Sequence, residues 1–410
     1  MQRRDFLKYM LASSMGGAWL ANGLPGIREA QAAAAPKSLI VIFQRGGCDG
    51  LNVVVPYGED AYYRLRPTIA IAKAGQANGA LDLNGFFGLH PAMAALHKLY
   101  QQGAVAVFPA VHYPNASMSH FDSELYIESG VVNKNSNGWL NRHLETSSHS
   151  SGMRGVSFGT DIAYALRGNV PVSAFSDLAA FDLDMETLAE RRMTDRLQTI
   201  YAANPHLGGS NGVRIQNAGR TLFADLGLVQ QLDVKGYQPA NGAVYPANNF
   251  GKQLQQAAQL IKSGVGLEVA NINLGGWDTH GDQGNHVGYQ ANMLKTFADG
   301  IAALYADLGS QMQDVMILTM TEFGRTVDEN GSKGTDHGNA SSWFALGGGV
   351  KGGIYGQWPG LETAQLYKGR YLAHSVDFRD IFGDIASKHL HSSSLASLLP
   401  GYSPVAQGFL

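Results

Sequence analysis

Cysteine is almost absent from this sequence of 410 residues, and so are long apolar runs and any excess of basic charge. The single cysteine, Cys48, excludes an intramolecular disulfide and a cysteine-rich zinc site. A formal net charge of −3 gives no basic footprint, so we expect no nucleic-acid partner. Beyond the N-terminal segment no run approaches the roughly 20 uninterrupted apolar residues of a transmembrane helix. We therefore expect no membrane span in the mature chain.

The N-terminal segment has the pattern of a twin-arginine export signal. Arg3 and Arg4 precede a modest apolar segment, and the Ala-Gln-Ala of residues 30–32 offers a small-residue cleavage site. A short membrane anchor or a chance pair of arginines are the alternatives. The pattern predicts a signal peptide at residues 1–32, export with the twin-arginine translocase as partner, and a periplasmic or secreted mature protein.

Short apolar runs alternate with helical patterns along the rest of the chain. The segments LIVIF, AVAVFPAVHYPN, GLEVANINL and DVMILTM predict buried strands, and the pattern from Val287 to Leu308 predicts a long amphipathic helix. Strands that are apolar along their whole length favour a mainly parallel sheet covered on both faces. Residues 184–263 are helix-rich and polar, which predicts a helical insertion. We expect residues 33–410 to form a single α/β domain.

Polar residues follow four of the apolar runs, and each of these four strand exits carries a carboxylate or an imidazole. Ligands of open parallel sheets bind outside the carboxyl ends of the strands. In chain order these residues are Arg45, Asp49, His112, Ser117, Ser119, His120, Asp122, Asp278, His280, Glu322, Arg325, Asp336 and His337. Asp and His without Cys favour Zn, Mn, Fe or a harder ion such as Ca. The pattern predicts a hydrolytic centre with one or two metal ions.

Three of these residues, Asp49, Asp278 and Ser119, also suit purely structural roles. Asp49 also suits a helix cap or a turn, and Asp278 also suits a turn in which its carboxylate accepts backbone hydrogen bonds. Ser119 followed by Asp122 resembles a capping box, although Glu or Gln is the usual partner.

The residues after the DVMILTM strand also have both structural and functional interpretations. Glu322 and Arg325 also suit a structural ion pair. Asp336 and His337 lie in a loop rich in Gly and Ser, where a core role is rare, which favours a place in the site.

Several segments together resemble the domain of unknown function 1501 (DUF1501) family. They are FQRGGCDGLNVVVPYGEDAYYRLRP, SHFDSELYIESG, GWLNR, GGWDTHGDQ, MTEFGRT and GTDHGNASSWFALGGGVKGG. They occur in the family's order over essentially the whole mature chain. The family in turn resembles a remote member of the alkaline phosphatase and sulfatase superfamily. The resemblance implies an alkaline-phosphatase-like fold, a three-layer α/β/α sandwich with a mainly parallel central sheet and a metal site at the strand carboxyl ends.

The resemblance also implies roles for individual residues. Asp49 stands where the superfamily has its first metal-binding Asp, and Ser119 stands where it has a nucleophile at a helix N-terminus. Such a terminus favours a bound phosphate or sulfate. Asp278 and His280 stand where its later ligands follow a middle strand.

The chain departs from the superfamily pattern at the next strand. An adjacent Asp-His is usual there, and this chain has Glu322 and Phe323 instead. Asp336 and His337 then either supply the missing groups from the loop or form a separate pair. The sequence around Cys48 and Ser119 does not match the Cys-x-Pro-x-Arg-like context of a formylglycine sulfatase, so we do not expect an ordinary sulfatase.

These observations leave more than one function open. The first is an exported metal-dependent hydrolase of phosphate or sulfate esters or related anionic groups, holding a divalent ion such as Zn, Mn or Ca. Its predicted metal ligands are Asp49, Asp278, His280, Glu322, Asp336 and His337. Ser119 would be the nucleophile or would orient an attacking water, and Arg45 or Arg325 would clamp the anionic group.

The alternative is a catalytically degenerate superfamily member that binds a glycan, an anionic polymer or a partner protein. The replacement by Glu322 and Phe323 motivates it. A structural protein of a surface assembly is a further candidate, favoured by the incomplete catalytic signature.

Overall fold

The computed structural model describes residues 36–132, 134, 136–149, 152–181, 188–202 and 209–410. The signal peptide predicted at residues 1–32 lies outside these residues, as do two segments of the predicted insertion, 184–187 and 203–208.

The strands of the described chain form one large sheet and one small sheet. Their bounds are β1 Ser38–Arg45, β2 Val54–Val55, β3 Leu81–Asp82, β4 Gly88–Leu89, β5 Val105–His112, β6 Gly155–Phe158, β7 Ser173–Phe175, β8 Val269–Gly275, β9 Val315–Met320, β10 Ser341–Gly347, β11 Gly353–Ile354 and β12 Val376–Asp377. The large sheet has the order β11-β5-β10-β9-β1-β8-β6-β7, with β12 also paired to β5, and the small sheet has the order β2-β4-β3.

The large sheet is mainly parallel, as the alternation of strands and helices predicts. β1 lies at its centre and pairs in parallel with β8 and β9. β10 is antiparallel to both β5 and β9, so those two strands still run in the same direction. The carboxyl ends of β1, β5, β8 and β9 therefore meet at one edge of the sheet.

Helices cover both faces of the sheet. Their bounds are α1 Gly50–Val53, α2 Asp60–Leu65, α3 Ala94–Gln101, α4 His120–Ser129, α5 Trp139–Thr146, α6 Leu188–Ala202, α7 Gly209–Val229, α8 Asn249–Lys262, α9 Tyr289–Leu308, α10 Phe378–Asp384 and α11 Leu395–Leu398. Short 3-10 turns lie at Pro91–Met93, Tyr164–Leu166, Leu178–Ala180, Gly309–Gln313 and Thr363–Gln365, and a π-helical turn lies at Ile385–His389.

Alternate residues of β1 enter two separate hydrophobic cores, which is the direct sign of three layers. Ile40 and Ile42 pack in a core with α3, α8 and α9. Leu39, Val41 and Phe43 pack on the opposite face, in a core with α5 and α10. A strand buried on both faces is typically apolar along most of its length, which explains the LIVIF run in the sequence. The predicted α/β/α sandwich is confirmed.

The region of the predicted insertion contains two kinds of helix. α6 and α7 pack against each other, and α7 also contacts β7. α8 packs on β8 and α9 instead, as part of one covering layer. None of the described helices has the length and apolar character that crossing a membrane requires.

Candidate metal centre

Three side chains from separate strand exits meet at the carboxyl edge of the large sheet. His120 begins α4 after β5, Asp278 follows β8, and His337 lies in the loop between β9 and β10. Each offers one ligand atom, and these atoms lie within 4.8 Å of one another. Nε2 of His120 lies 3.1 Å from Nε2 of His337, which in turn lies 3.3 Å from Oδ1 of Asp278. Ligands of one shared ion need this proximity.

Both imidazoles are held through their other nitrogen, Nδ1. Nδ1 of His120 lies 2.7 Å from Oε1 of Glu322, and Nδ1 of His337 lies 2.9 Å from the carbonyl oxygen of Met118. Both partners only accept hydrogen bonds, so both Nδ1 atoms carry the proton. In the neutral rings the two Nε2 lone pairs then face each other and the Asp278 carboxylate. Only a proton or a metal cation relieves that repulsion, so these side chains fit a divalent ion.

The charges around His120 also favour a cation in this place. The hydrogen bond to Glu322 raises the pKa of His120, although burial opposes the shift. Burial raises the pKa of Glu322, but the bonds from His120 and from the backbone N–H groups of Gly46 and Gly47 outweigh it, and the pKa is lowered. Glu322 is thus a fixed negative charge behind the His120 ring.

The guanidinium group of Arg325 ties Asp278 to the glycine turn after β1. Its side chain is fully buried and donates to the carbonyl oxygens of Gly47, Gly46 and Trp277 and to the Asp278 carboxylate. Burial raises the pKa of Asp278, but the hydrogen bond and charge of Arg325 outweigh it and lower the pKa. Asp278 is therefore held ionised, ready to bind a cation.

Phe323 forms the wall on which both imidazoles rest. Its ring centroid lies 4.8 Å from that of His120 and 4.8 Å from that of His337. The ring passes so close to Gly47 that a Cβ there would lie 2.3 Å from a ring carbon, and Gly47 has a positive φ of +69°. The loop folds back through a backbone bridge between Arg325 and His337. The folded-back loop thereby places the His337 imidazole against the Phe323 ring.

Two further predicted ligands flank the three central side chains. His280 lies with Nε2 3.0 Å from Oδ1 of Asp278 and with Nδ1 3.2 Å from Oδ1 of Asp336. Hydrogen bonding by Asn330 lowers the pKa of Asp336, and the neighbouring His280 contributes. Both nitrogens of His280 thus face carboxylates, at the solvent-exposed mouth of the site.

The structure does not bring Asp49 into this group. Its carboxylate is buried and accepts from Arg66 at 2.6 and 2.9 Å and from Gln283 at 2.7 Å. Oε1 of Gln283 accepts in turn from Thr279 and Thr335. Those threonines adjoin Asp278, His280 and Asp336 in the chain. Asp49 therefore belongs to a buried hydrogen-bond network that holds the two segments carrying Asp278, His280 and Asp336.

Two of the predicted catalytic residues, Ser119 and Arg45, lie beside the site and differ in whether their polar groups are already bonded. Ser119 is the N-cap of α4, next to His120, and its hydroxyl makes no capping hydrogen bond to the described helix. Arg45 forms ion pairs of 2.9 Å with both Glu124 and Glu128. Their catalytic roles stay predictions.

His120 is the site residue that the sequence-based ligand set lacks. The residue stands among the polar groups after β5, but a histidine that opens a helix carries no ligand signal of its own. Its position directly after Ser119, at the edge where three other strands end, is the signal that would have included it.

Similar solved structures have low identity to this chain. Ps i-CgsB in complex with k-i-k-neocarrahexaose is 10% identical, with 90% of this chain and 74% of that chain covered and a TM-score of 0.40. The C-terminal periplasmic domain of EcEptC from Escherichia coli, in complex with Zn, is 9% identical, with 77% and 74% covered and a TM-score of 0.34. A protein in the alkaline phosphatase superfamily from Vibrio parahaemolyticus is 9% identical, with 78% and 62% covered and a TM-score of 0.34. At these TM-scores the similarities carry no argument about activity.

No curated protein matches this chain. A family model described as "Protein of unknown function (DUF1501)" matches residues 36–394. That range includes the glycine turn after β1, the start of α4 and the loop that carries His337. The chain belongs to the DUF1501 family, as its motifs predict.

Proposed function

We propose that this protein is an exported metal-dependent hydrolase of phosphate or sulfate esters or related anionic groups. The observation that carries the proposal is the pair of Nε2 atoms, 3.1 Å apart, that His120 and His337 present beside the Asp278 carboxylate. Two imidazoles and a carboxylate with a further position open are the donor set of many catalytic metal sites. Imidazole with carboxylate favours Zn or Mn over Ca, which prefers oxygen ligands alone.

A divalent ion, when bound, supplies Lewis-acid stabilisation of negative charge on an ester oxygen. The chain's own groups do the rest. Ser119 lies at the N-terminus of α4 with a hydroxyl that caps none of the described helix. It is therefore free to attack the ester or to orient a water molecule. The N–H groups and the dipole of the same helix end favour an anionic group beside it.

Arg45 and Arg325 are predicted from the sequence to clamp the anionic group, but both side chains already have other partners. Arg325 spends its N–H groups on backbone carbonyls and on Asp278, and Arg45 pairs with two glutamates. Clamping of an anion by either residue needs one of these pairs to open. We therefore assign the recognition of the anionic group mainly to the start of α4.

We infer export from the N-terminal sequence pattern. Paired arginines, an apolar segment and a small-residue cleavage site are typical of the twin-arginine route. This route leaves a mature periplasmic or secreted domain of residues 33–410.

Elemental analysis of protein purified without chelator tests the proposal. We expect about one ion per chain, in line with the three converging ligands, and turnover of 4-nitrophenyl phosphate or sulfate that chelation abolishes. His120→Ala, Asp278→Ala and His337→Ala should each lose the ion. His97→Ala is the matched control, because His97 bonds the Asp82 carbonyl elsewhere on the surface. Stoichiometric metal in all three variants, or full turnover without metal, would contradict the proposal.

The binding-only alternative keeps one observation in its favour. Arg45 and Arg325 already have acidic partners, so neither guanidinium is free to stabilise the charge that develops during hydrolysis of an ester. In this alternative a glycan, anionic polymer or partner protein binds with the metal removed, and Ser119→Ala changes nothing. Turnover that disappears in Ser119→Ala excludes it.

A further inference from the structure

We infer that Glu322 is a positioning residue that fixes the ring of His120, and not a ligand of the ion. The inference rests on the metal site proposed above and changes the role that the sequence predicts for this carboxylate. It concerns which nitrogen of His120 is available to a cation.

Burial and hydrogen bonds fix the position of the Glu322 carboxylate. The residue is fully buried. Oε1 accepts from the backbone N–H of Gly46 at 2.7 Å and lies 2.7 Å from Nδ1 of His120, and Oε2 lies 3.0 Å from the Thr321 hydroxyl. A shift toward the ligand atoms would leave the Gly46 N–H without its acceptor. Buried donors without partners are costly, so the carboxylate stays in place.

The direction of the contact decides the role. Nδ1 and Nε2 lie on opposite edges of an imidazole ring, and Glu322 faces Nδ1 while His337 and Asp278 face Nε2. Glu322 is therefore on the far side of the ring from any shared ion. A carboxylate in that place fixes the tautomer, orients the ring and makes Nε2 a stronger ligand.

His337 has the same arrangement with a weaker partner. Its Nδ1 faces the carbonyl oxygen of Met118 at 2.9 Å, which orients the ring without a charge. His120 is thus the imidazole that a charged group orients, and Glu322 is that group.

Metal affinity in glutamate variants tests the inference. Glu322→Gln removes the charge, and Glu322→Asp keeps the charge but withdraws it from Nδ1. Loss of such a partner typically weakens metal binding about 10–100-fold. We expect that loss for Co²⁺ in chelator competition, with the visible absorption bands of the bound Co²⁺ unchanged because the ligands are unchanged. Glu124→Gln is the matched control, since this nearby carboxylate pairs with Arg45 instead.

The outcomes separate this inference from the proposed function. Wild-type affinity in both Glu322 variants would overturn it, and so would absorption bands that show a lost ligand. If the wild type binds no Co²⁺, the proposed function fails and the inference is read from ¹⁵N NMR of His120 in the metal-free protein. There the Nδ1–H tautomer should dominate in the wild type and decline in Glu322→Gln. An unchanged tautomer ratio would overturn the inference, and the same spectra report on Glu322→Asp if Glu322→Gln does not fold.

Discussion

Replacement of Asp49 by alanine should destabilise the fold while leaving the ion in place. The substitution strands the Arg66 guanidinium, which is fully buried and has Asp49 as its ion-pair partner at 2.6 Å. Removal of one member of a buried ion pair costs about 3–5 kcal/mol, because the remaining charge is left without compensation. Folded domains have about 5–15 kcal/mol of stability in total, so the variant should lose a large share of it.

Urea unfolding and elemental analysis of the same preparations measure the two effects. Arg66→Met should cost a similar amount, since it leaves the Asp49 charge buried alone. The double variant Asp49→Ala/Arg66→Met should be more stable than the sum of its parts predicts, because no unpaired charge remains. Asp60→Ala is the control for an exposed pair with Lys73 and should cost less than about 1 kcal/mol.

The ion content gives the decisive contrast. Asp49 spends both carboxylate oxygens on Arg66 and Gln283 and is not one of the three converging ligands. The folded Asp49→Ala protein should therefore keep its ion. A variant that unfolds like the wild type but has lost the ion would refute this reasoning and would restore Asp49 as a ligand.

Three further predictions concern the turn, the acid response and the ion. Gly47→Ala should cost about 1–3 kcal/mol more than Gly85→Ala in urea unfolding, since both have positive φ but only Gly47 meets Phe323; equal losses would contradict the clash. Burial raises the pKa of Glu268, but bonds from His143, Arg154 and Ser147 lower it from 4.5 to about 2. Its stabilisation, about 3 kcal/mol at most, is thus complete above pH 4.5 and is lost as the pH falls toward 2. Glu268→Gln should flatten acid unfolding over that window, and an unchanged slope would count against it. Chelation should lower the free energy of unfolding by about 2.7 kcal/mol where the free ion stood at about 100 times its Kd. His337→Ala, which lacks a ligand, should show no such response.

The fold was largely readable from the sequence, because its central strands are buried on both faces. β1, β5 and β9 are mainly apolar runs, β8 is apolar apart from Asn271 and Asn273, and all four strands appear where the sequence predicts them. The short edge strands β6 and β7 were not predicted. Gly155–Phe158 and Ser173–Phe175 are too brief to show a period, and pairing along the sheet edge decides their conformation.

The sheet edge at which Asp278 and His337 meet could be predicted from the sequence, but the contacts of the individual side chains could not. Strand ends gave Asp278 and His337, since parallel strands deliver their carboxyl ends to one edge. The partner of a carboxylate is a tertiary fact, and no local pattern links Asp49 to Arg66 or Glu322 to His120. Distinguishing a ligand from a residue that supports a ligand requires those partners.

The distance in sequence between the ligands has a kinetic consequence. His120 and His337 are 217 positions apart, and His337 and Asp278 are 59 apart. Three strand exits must be in register before these atoms meet, so an incomplete chain has no site to load. Closing such long loops costs entropy before the contacts contribute any stability, so we expect these ligand atoms to meet late in folding. Interactions absent from the transition state alter the unfolding rate and leave the folding rate nearly unchanged. A bound ion should therefore slow the unfolding of the native protein and leave its folding rate nearly unchanged.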